Sequence, residues 1–269
     1  MAANPDRRGG VRLLYGALLG SALFICLPLP PPPASAQPCA ADRLDEQAQV
    51  RRVHDGDTVI LSDGRKVRLI GINTPELVRN RVPAEAFSAD ARTLLQTLLA
   101  EGGFRVGLRH GAERYDRYSR SLAHVFTSDG RNVQELLLQH GLAAPIAFPP
   151  NLWQQPCYLQ TAQRAREAQR GIWSLPRYQG VHPRAVRATG GGFYAVRGRI
   201  ESVKRTRHSV WLNMGYDFGL RIAKDDLLQF RSLTPDSLRL KSVRALGWVN
   251  VRKRPSMRIR HPSQLEIVK

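Results

Sequence analysis

The 269-residue chain holds only three cysteines, and no Cys or His cluster falls at zinc-ligand spacing, so zinc is not a competitor for any ion site. Acid is scarce as well, with 22 Asp and Glu against 41 Lys and Arg and a net charge of +19. Long hydrophobic runs are missing apart from Leu13 to Leu29. That run contains Gly and Pro and is short of the about 20 apolar residues that a membrane span needs. Arg7, Arg8 and Arg12 precede it, Pro28 to Pro33 break it, and Ala34-Ser-Ala36 offers the small residues of a cleavage site. The expectation is a signal peptide cut after Ala36, leaving a periplasmic or secreted protein with no stable membrane insertion. An uncleaved anchor is the alternative. A lipoprotein fits poorly, because Leu-Phe-Ile before Cys26 departs from small-residue acylation sites.

Cleavage removes Cys26 and leaves Cys39 and Cys157. An even pair in an oxidising compartment favours one disulfide, tying the mature N-terminus to the start of a helix near 155. Two unpaired thiols are the alternative. The charge is unevenly spread. Residues 37–180 carry 19 basic and 15 acidic side chains, whereas residues 181–269 carry 19 and 6, a net of +13. Such a field captures polyanions. Anionic envelope polymers would be attracted too, so charge alone does not name the partner.

Two stretches carry the chemistry. The first is Val53-His-Asp-Gly-Asp-Thr-Val-Ile-Leu61, followed by Lys66-Val-Arg-Leu-Ile-Gly-Ile-Asn-Thr-Pro-Glu76. Its β-type runs flank Ser62-Asp63-Gly64, and Asp-Gly is a strong hairpin signal. Asp55 and Asp57 open one run, while Asn73, Thr74, Pro75 and Glu76 end the other. Oxygen ligands so placed can converge on a hard cation. Arg68, inside an apolar strand, presents a planar fork that suits a phosphate. An ordinary hairpin with a solvated acidic turn is the plainer reading. The second stretch is Asp116-Arg-Tyr-Ser-Arg-Ser-Leu-Ala123, then Asp129-Gly-Arg-Asn-Val-Gln-Glu-Leu-Leu136, with Gly171-Ile-Trp173-Ser174 beyond it.

Together these elements resemble the staphylococcal nuclease (thermonuclease) family over roughly residues 50 to 175, in its order and spacing. The resemblance implies a mainly β fold with helices (α+β): a five-stranded Greek-key OB barrel with three helices. It assigns Asp57, Asn73 and Thr74 to a Ca²⁺ ion and Arg68 and Arg120 to the phosphate. Glu76 would position or deprotonate the attacking water, and Arg117 and Tyr118 would contact a nucleotide's terminal phosphate. Asp55 is read as a turn cap. Two positions depart from the pattern. Asn73 stands where many members have Asp, which removes a charge from the metal and should weaken its binding. Ser119 stands where the pattern has Gly, a strain of roughly 1 kcal/mol if its φ is positive.

Residues alone suggest strands around 50–61, 65–72, 104–108 and 122–127, with helices at 84–100, 132–140 and 155–170. The expected organisation is a signal at 1–36, a lead-in at 37–49 and a nuclease domain at 50–176. A linker at 177–192 and a basic domain at 193–269 follow. Five alternating strands beyond 193, interrupted by a helical turn at 225–230, suggest a second small OB-like barrel, with a β-sandwich fragment as the alternative. Tyr194, Trp211, Tyr216 and Trp248 either form a stacking face among the arginines or belong to the core.

The function these readings imply is an exported Ca²⁺-dependent endonuclease. It would cleave DNA and RNA with little sequence specificity, leave 3′-phosphates, and need no obligate protein partner. The alternatives are an exported nucleic-acid-binding protein with a weak or inactive site, which Asn73 supports, and an envelope-associated module whose basic surface meets anionic polymers.

Overall fold

The computed structural model describes residues 39–78, 82–252 and 254–268. The signal peptide, Cys26 and the cleavage site after Ala36 lie outside the described residues. No helix among the described residues is long and apolar enough to cross a membrane.

Chain order in the first half is β1 (Glu46–Asp55), β2 (Thr58–Leu61), β3 (Lys66–Leu69), β4 (Ile72–Asn73), α1 (Ser88–Ala100), β5 (Arg105–Tyr115) and β6 (Ser121–Thr127). Then come α2 (Val133–Gln139), β7 (Ala144–Pro145) and α3 (Gln155–Glu167). Five strands close into a barrel in the order β1-β2-β3-β6-β5, with β3 and β6 parallel and the other neighbours antiparallel. This is the OB barrel with three helices that the motifs imply. The stretch 50–61, expected as one strand, is instead a hairpin in which Asp55 pairs with Thr58. Asp55 Oδ1 accepts the Asp57 N–H at 3.0 Å, an Asx turn that reverses the chain. Gly56 is required there, since a Cβ would sit 2.7 Å from Ala91 Cβ on α1. Glu46 to Gln49, placed in the lead-in, already pair with β5.

Asn132 caps α2 through the Glu135 N–H, and Gly141, at φ +68°, ends that segment. Cys39 and Cys157 are bonded, with Cα atoms 5.7 Å apart, so the disulfide expected from cysteine number is present.

The stretch 177–192, expected as a linker, is ordered and packed. A turn of 3-10 helix at Gly171–Ser174 leads into α4 (Pro176–Gln179), and a second runs over Pro183–Thr189, with Tyr178 and Val186 buried. The second half has β8 (Gly192–Arg199), β9 (Ser202–Arg205), β10 (Ser209–Asn213), β11 (Gly219–Ala223), β12 (Ser242–Asn250), β13 (Ser256–Arg258) and β14 (Leu265–Ile267). Strands β8 and β9 are one strand bent at Ile200 and Glu201. Its first part pairs with β12 and its second with β10, while β11 and β13 run parallel. The neighbour order is therefore β8/β9, β10, β11, β13, β12 and back to β8, which repeats the connectivity of the first barrel. Helical turns at Lys224–Phe230 and Pro235–Leu238 stand where α1 stands in the first half. β14 adds to β12 and was not anticipated.

The halves share a core. Phe193, Ala195 and Leu246 belong to the same apolar cluster as Trp173, Tyr178 and the first barrel. Arg166 on α3 makes a two-pronged pair with Glu266, at 2.5 and 2.8 Å. Buried Arg244 donates to the Tyr178 carbonyl, and burial pulls its basicity down to about 10.

Candidate active site

Asp57 sits at the tip of the β1–β2 hairpin and is buried. Its Oδ1 accepts the Thr58 hydroxyl at 3.1 Å, and its Oδ2 accepts the Thr74 N–H at 3.1 Å. Arg68, paired with Thr58 across β2 and β3, reaches back so that Nη2 lies 2.9 Å from Asp57 Oδ2. The rest of the fork is held by the backbone. Nη1 donates to the Leu69 carbonyl at 2.7 Å and Nη2 to the Ile72 carbonyl at 3.0 Å. Arg68 therefore does not extend into solvent from a strand edge. Burial raises the Asp57 carboxyl above its ordinary pKa, and the nearby Asp55 charge adds to this, while Arg68 and the Thr74 N–H oppose it.

The turn at Gly71, φ +86°, passes against Tyr158 and delivers β4. Asn73 and Thr74 are buried, Thr74 against Asp57, and the Asn73 amide lies 3.4 Å from the Thr74 carbonyl. Glu76 is exposed at the end of this segment. Its N–H donates to Glu85 Oε2 at 3.1 Å and its carbonyl accepts the Glu85 N–H at 2.9 Å. Glu85 is in turn paired with Arg177 of α4 at 2.9 Å. Glu85 was missed in the sequence, because nothing local marks a carboxylate that braces a loop nine residues away.

A second group stands on the turn between β5 and β6. Asp116 Oδ1 accepts the N–H groups of Tyr118 and Arg120 at 2.9 and 3.0 Å, and Oδ2 accepts Arg120 Nε at 2.7 Å. Burial would raise the Asp116 carboxyl, but these bonds hold it below its usual range. Asp116 is the second residue missed, although its spacing to Arg120 is visible in the chain. Arg117 stacks on the exposed Tyr118 ring at 4.8 Å and donates to its hydroxyl at 2.7 Å. Ser119 has φ +60°, so the strain expected for a non-glycine residue is present.

Asp57, Arg68 and Thr74 are thus joined by direct contacts, and Asn73 adjoins them through Thr74. Arg117, Tyr118 and Arg120 form their own group, one strand over, since β6 starts beside β3 with Ser121 opposite Val67. The donor set around Asp57 is one carboxylate with amide, hydroxyl and carbonyl oxygens, which suits a hard cation and offers nothing to a soft one. The described residues hold one cluster of three His, Cys, Asp or Glu ligand atoms: Glu135 with Cys39 and Cys157. Its sulfurs are bonded to each other.

An OB barrel with a guanidinium set against a buried carboxylate at a strand turn defines the class, an OB-fold phosphodiesterase. The family model "Staphylococcal nuclease homologue" matches residues 66–175. The thermonuclease of Staphylococcus intermedius is 36% identical over 138 residues, covering 50% of this chain and 80% of that protein. The thermonuclease of Staphylococcus hyicus is 32% identical over 134 residues, 48% and 77% of the two chains. Endonuclease YncB of Bacillus subtilis is 32% identical over 131 residues, 47% and 61%. The chain belongs to the staphylococcal nuclease family, and it is a nuclease. The second barrel lies outside the span of the family model.

Proposed function

We propose that this nuclease is exported, depends on Ca²⁺, and hydrolyses DNA and RNA internally with little sequence preference, leaving 3′-phosphates. The observation that carries the reading is the Arg68 fork fixed 2.9 Å from the buried carboxylate of Asp57. It places a cationic donor pair beside a strong oxygen ligand, the two things a phosphodiester needs for charge neutralisation.

In this reading Asp57 supplies the anionic ligand, with Asn73 and Thr74 giving neutral oxygens. A calcium ion held there would neutralise the non-bridging oxygens of the scissile phosphate. Arg68 and Arg120 would bind those oxygens, Arg120 leaving part of its hold on Asp116. Glu76 would orient water and take its proton. The water oxygen bonds to phosphorus as the bond to the 5′ oxygen breaks, and that oxygen takes up a proton, so the 3′ side keeps the phosphate. Arg117 and Tyr118 would hold the neighbouring phosphate. Export is supported by the signal-like residues 1–36 and agrees with the Cys39–Cys157 bond.

A second reading has one observation in its favour. Asn73 leaves Asp57 as the sole carboxylate assigned to the ion, which supports a weak or inactive site on a nucleic-acid-binding protein. Digestion of plasmid and of RNA by the full mature chain, with Ca²⁺ and with chelator, separates the two. Calcium-dependent nicking with 3′-phosphate ends is expected. Binding without cleavage at any calcium concentration would overturn the proposal.

A further inference from the structure

Two groups of aromatic and arginine side chains stand near one another, one on the nuclease half and one where it meets the second half. Tyr118 carries Arg117 on its ring at 4.8 Å. Arg260, just past β13, lies over the ring of Phe148 at 4.9 Å. Phe148 then meets Trp248 of β12 with ring centroids 5.7 Å apart. The link between Arg117 and Arg260 is electrostatic. Burial comes first in lowering the basicity of Arg260, and the positive charges of Arg258 and Arg117 add to it. The acid whose charge opposes this at Arg260 is Asp226, which is already paired with Arg258 at 2.8 Å. With Asp226 engaged by Arg258, the positive charge of Arg260 is one that a phosphate would relieve.

The aromatics of these groups are not covered by the fold. Tyr118 is 64% exposed, Trp248 42% and Phe148 38%. Trp248 rests edge-on against buried Phe193, with centroids 4.7 Å apart, so it is held from beneath while keeping open surface. A partly exposed indole next to a ring that carries Arg260 offers a stacking surface for a base and a cation for its phosphate. Bases of a duplex are already stacked on one another, so the chemistry selects an unpaired strand.

We propose that the junction of the two barrels is a binding track for single-stranded nucleic acid, in which Trp248 stacks a base and Arg260 with Arg117 binds the phosphates leading to the Asp57–Arg68 site. The second barrel is then an extension of the substrate groove and not a separate binding module. The track deepens the nuclease reading and rests on it for the direction in which the strand runs.

Its test is a binding measurement with the full mature chain in chelator, where no cutting occurs. Labelled oligothymidylates of 4 and 16 nucleotides are titrated by fluorescence anisotropy against wild type, Trp248→Leu, Trp248→Phe and Arg260→Gln. Wild type should bind the longer strand more tightly than the shorter. Trp248→Leu and Arg260→Gln should each weaken binding of the 16-mer by about tenfold, and Trp248→Phe should recover most of the loss. Arg260→Gln should also flatten the log–log salt dependence by about 0.7. Binding of the 16-mer within twofold of wild type by both Trp248→Leu and Arg260→Gln overturns the track. An equal loss for polyphosphate in Trp248→Leu also overturns it, since that polymer has no bases to stack. Arg260→Gln, which removes no core side chain, keeps the question answerable if Trp248→Leu does not fold. Weakened binding in the variants without calcium-dependent cleavage by wild type would remove the catalytic reading alone. Cleavage with unchanged binding would remove the track alone.

Discussion

Arg68 Nη2 stands 2.9 Å from Asp57 Oδ2, and both side chains are nearly buried, so the pair is part of the fold before it meets any substrate. Removing one member of such a pair strands the other's charge, at a cost of about 3–5 kcal/mol. Asp57→Asn keeps the shape and most of the hydrogen bonds but still leaves the Arg68 charge without its counter-charge, so its turnover is compared with wild type well below its own, lowered, unfolding midpoint. Asp57→Asn should reduce cleavage by several orders of magnitude while remaining folded. Wild-type turnover in this variant, still dependent on calcium, would show that Asp57 does not hold the ion.

Arg68→Lys should cut the rate at least a hundredfold. A lysine ammonium can pair with Asp57, but it cannot hold the Leu69 and Ile72 carbonyls and a phosphate together. Steady-state kinetics on a defined oligonucleotide, with circular dichroism as the fold control, checks this. A loss below tenfold would place the guanidinium in a structural role only.

Asn73→Asp should tighten calcium binding by restoring a second carboxylate next to Asp57. The change keeps the size of the buried side chain but gives up the amide's 3.4 Å contact with the Thr74 carbonyl, so without calcium the variant should be less stable than wild type. Isothermal titration of both proteins decides it. Equal or weaker affinity in the variant means that residue 73 is not a ligand.

How much of this was visible in the chain depends on the range of the interaction. The hairpin β2–β3 follows from local pattern, and the first barrel from the family resemblance that the motif order carries. The cap role of Asp55 is legible in the chain and present in the fold, whereas the need for Gly56 is not, because it rests on contact with α1 thirty-odd residues later. The packed state of 177–192 was hidden for the same reason. Tyr178 finds Trp173 and Phe193 only once both barrels exist, with centroids 5.9 and 6.2 Å away. Glu85 and Arg177 brace the Glu76 segment through space, and a sequence offers no periodicity for that.

Ser119→Gly should stabilise the protein by up to about 1 kcal/mol, since φ +60° costs a serine more than a glycine. The gain is reduced by the greater freedom of glycine in the unfolded chain. Thermal unfolding of the two proteins is the check. A fall in the midpoint would mean that the Ser119 side chain contributes something the backbone angle does not reveal.

Breaking the Cys39–Cys157 bond should cost about 4–5 kcal/mol, because it closes a loop with a sequence separation of 118. Its sulfurs also sit beside Glu135, whose carboxyl is raised chiefly by burial. Reduction should therefore lower the urea midpoint of the wild type and leave that of a Cys39→Ala, Cys157→Ala protein unmoved. If reductant shifts both equally, the effect does not come from this bond.

Acid should weaken the fold above the pH range where carboxylates titrate, and His124 is the reason. It is 1% exposed, its Nδ1 is 2.7 Å from the Tyr158 hydroxyl, and its ring packs edge-on against Trp153 at 4.7 Å. Burial first, then the charge of Arg109, lowers its pKa to about 3. In the unfolded chain the ordinary value near 6.5 returns. Between those two values the unfolded state binds a proton that the folded state refuses, so stability rises with pH through this window and levels off above it. Each unit below 6.5 should cost about 1.4 kcal/mol, or roughly 2 kcal/mol at pH 5 relative to pH 7. His261, also lowered by burial, adds in the same direction. Asp42, Asp45 and Glu46 have depressed values, so their contribution is lost only at lower pH. Urea unfolding at pH 7 and pH 5 measures the difference, and His124→Gln should shrink it. A wild type equally stable at both values, or a variant with the same loss, would mean that the buried ring accepts its proton without opening the barrel.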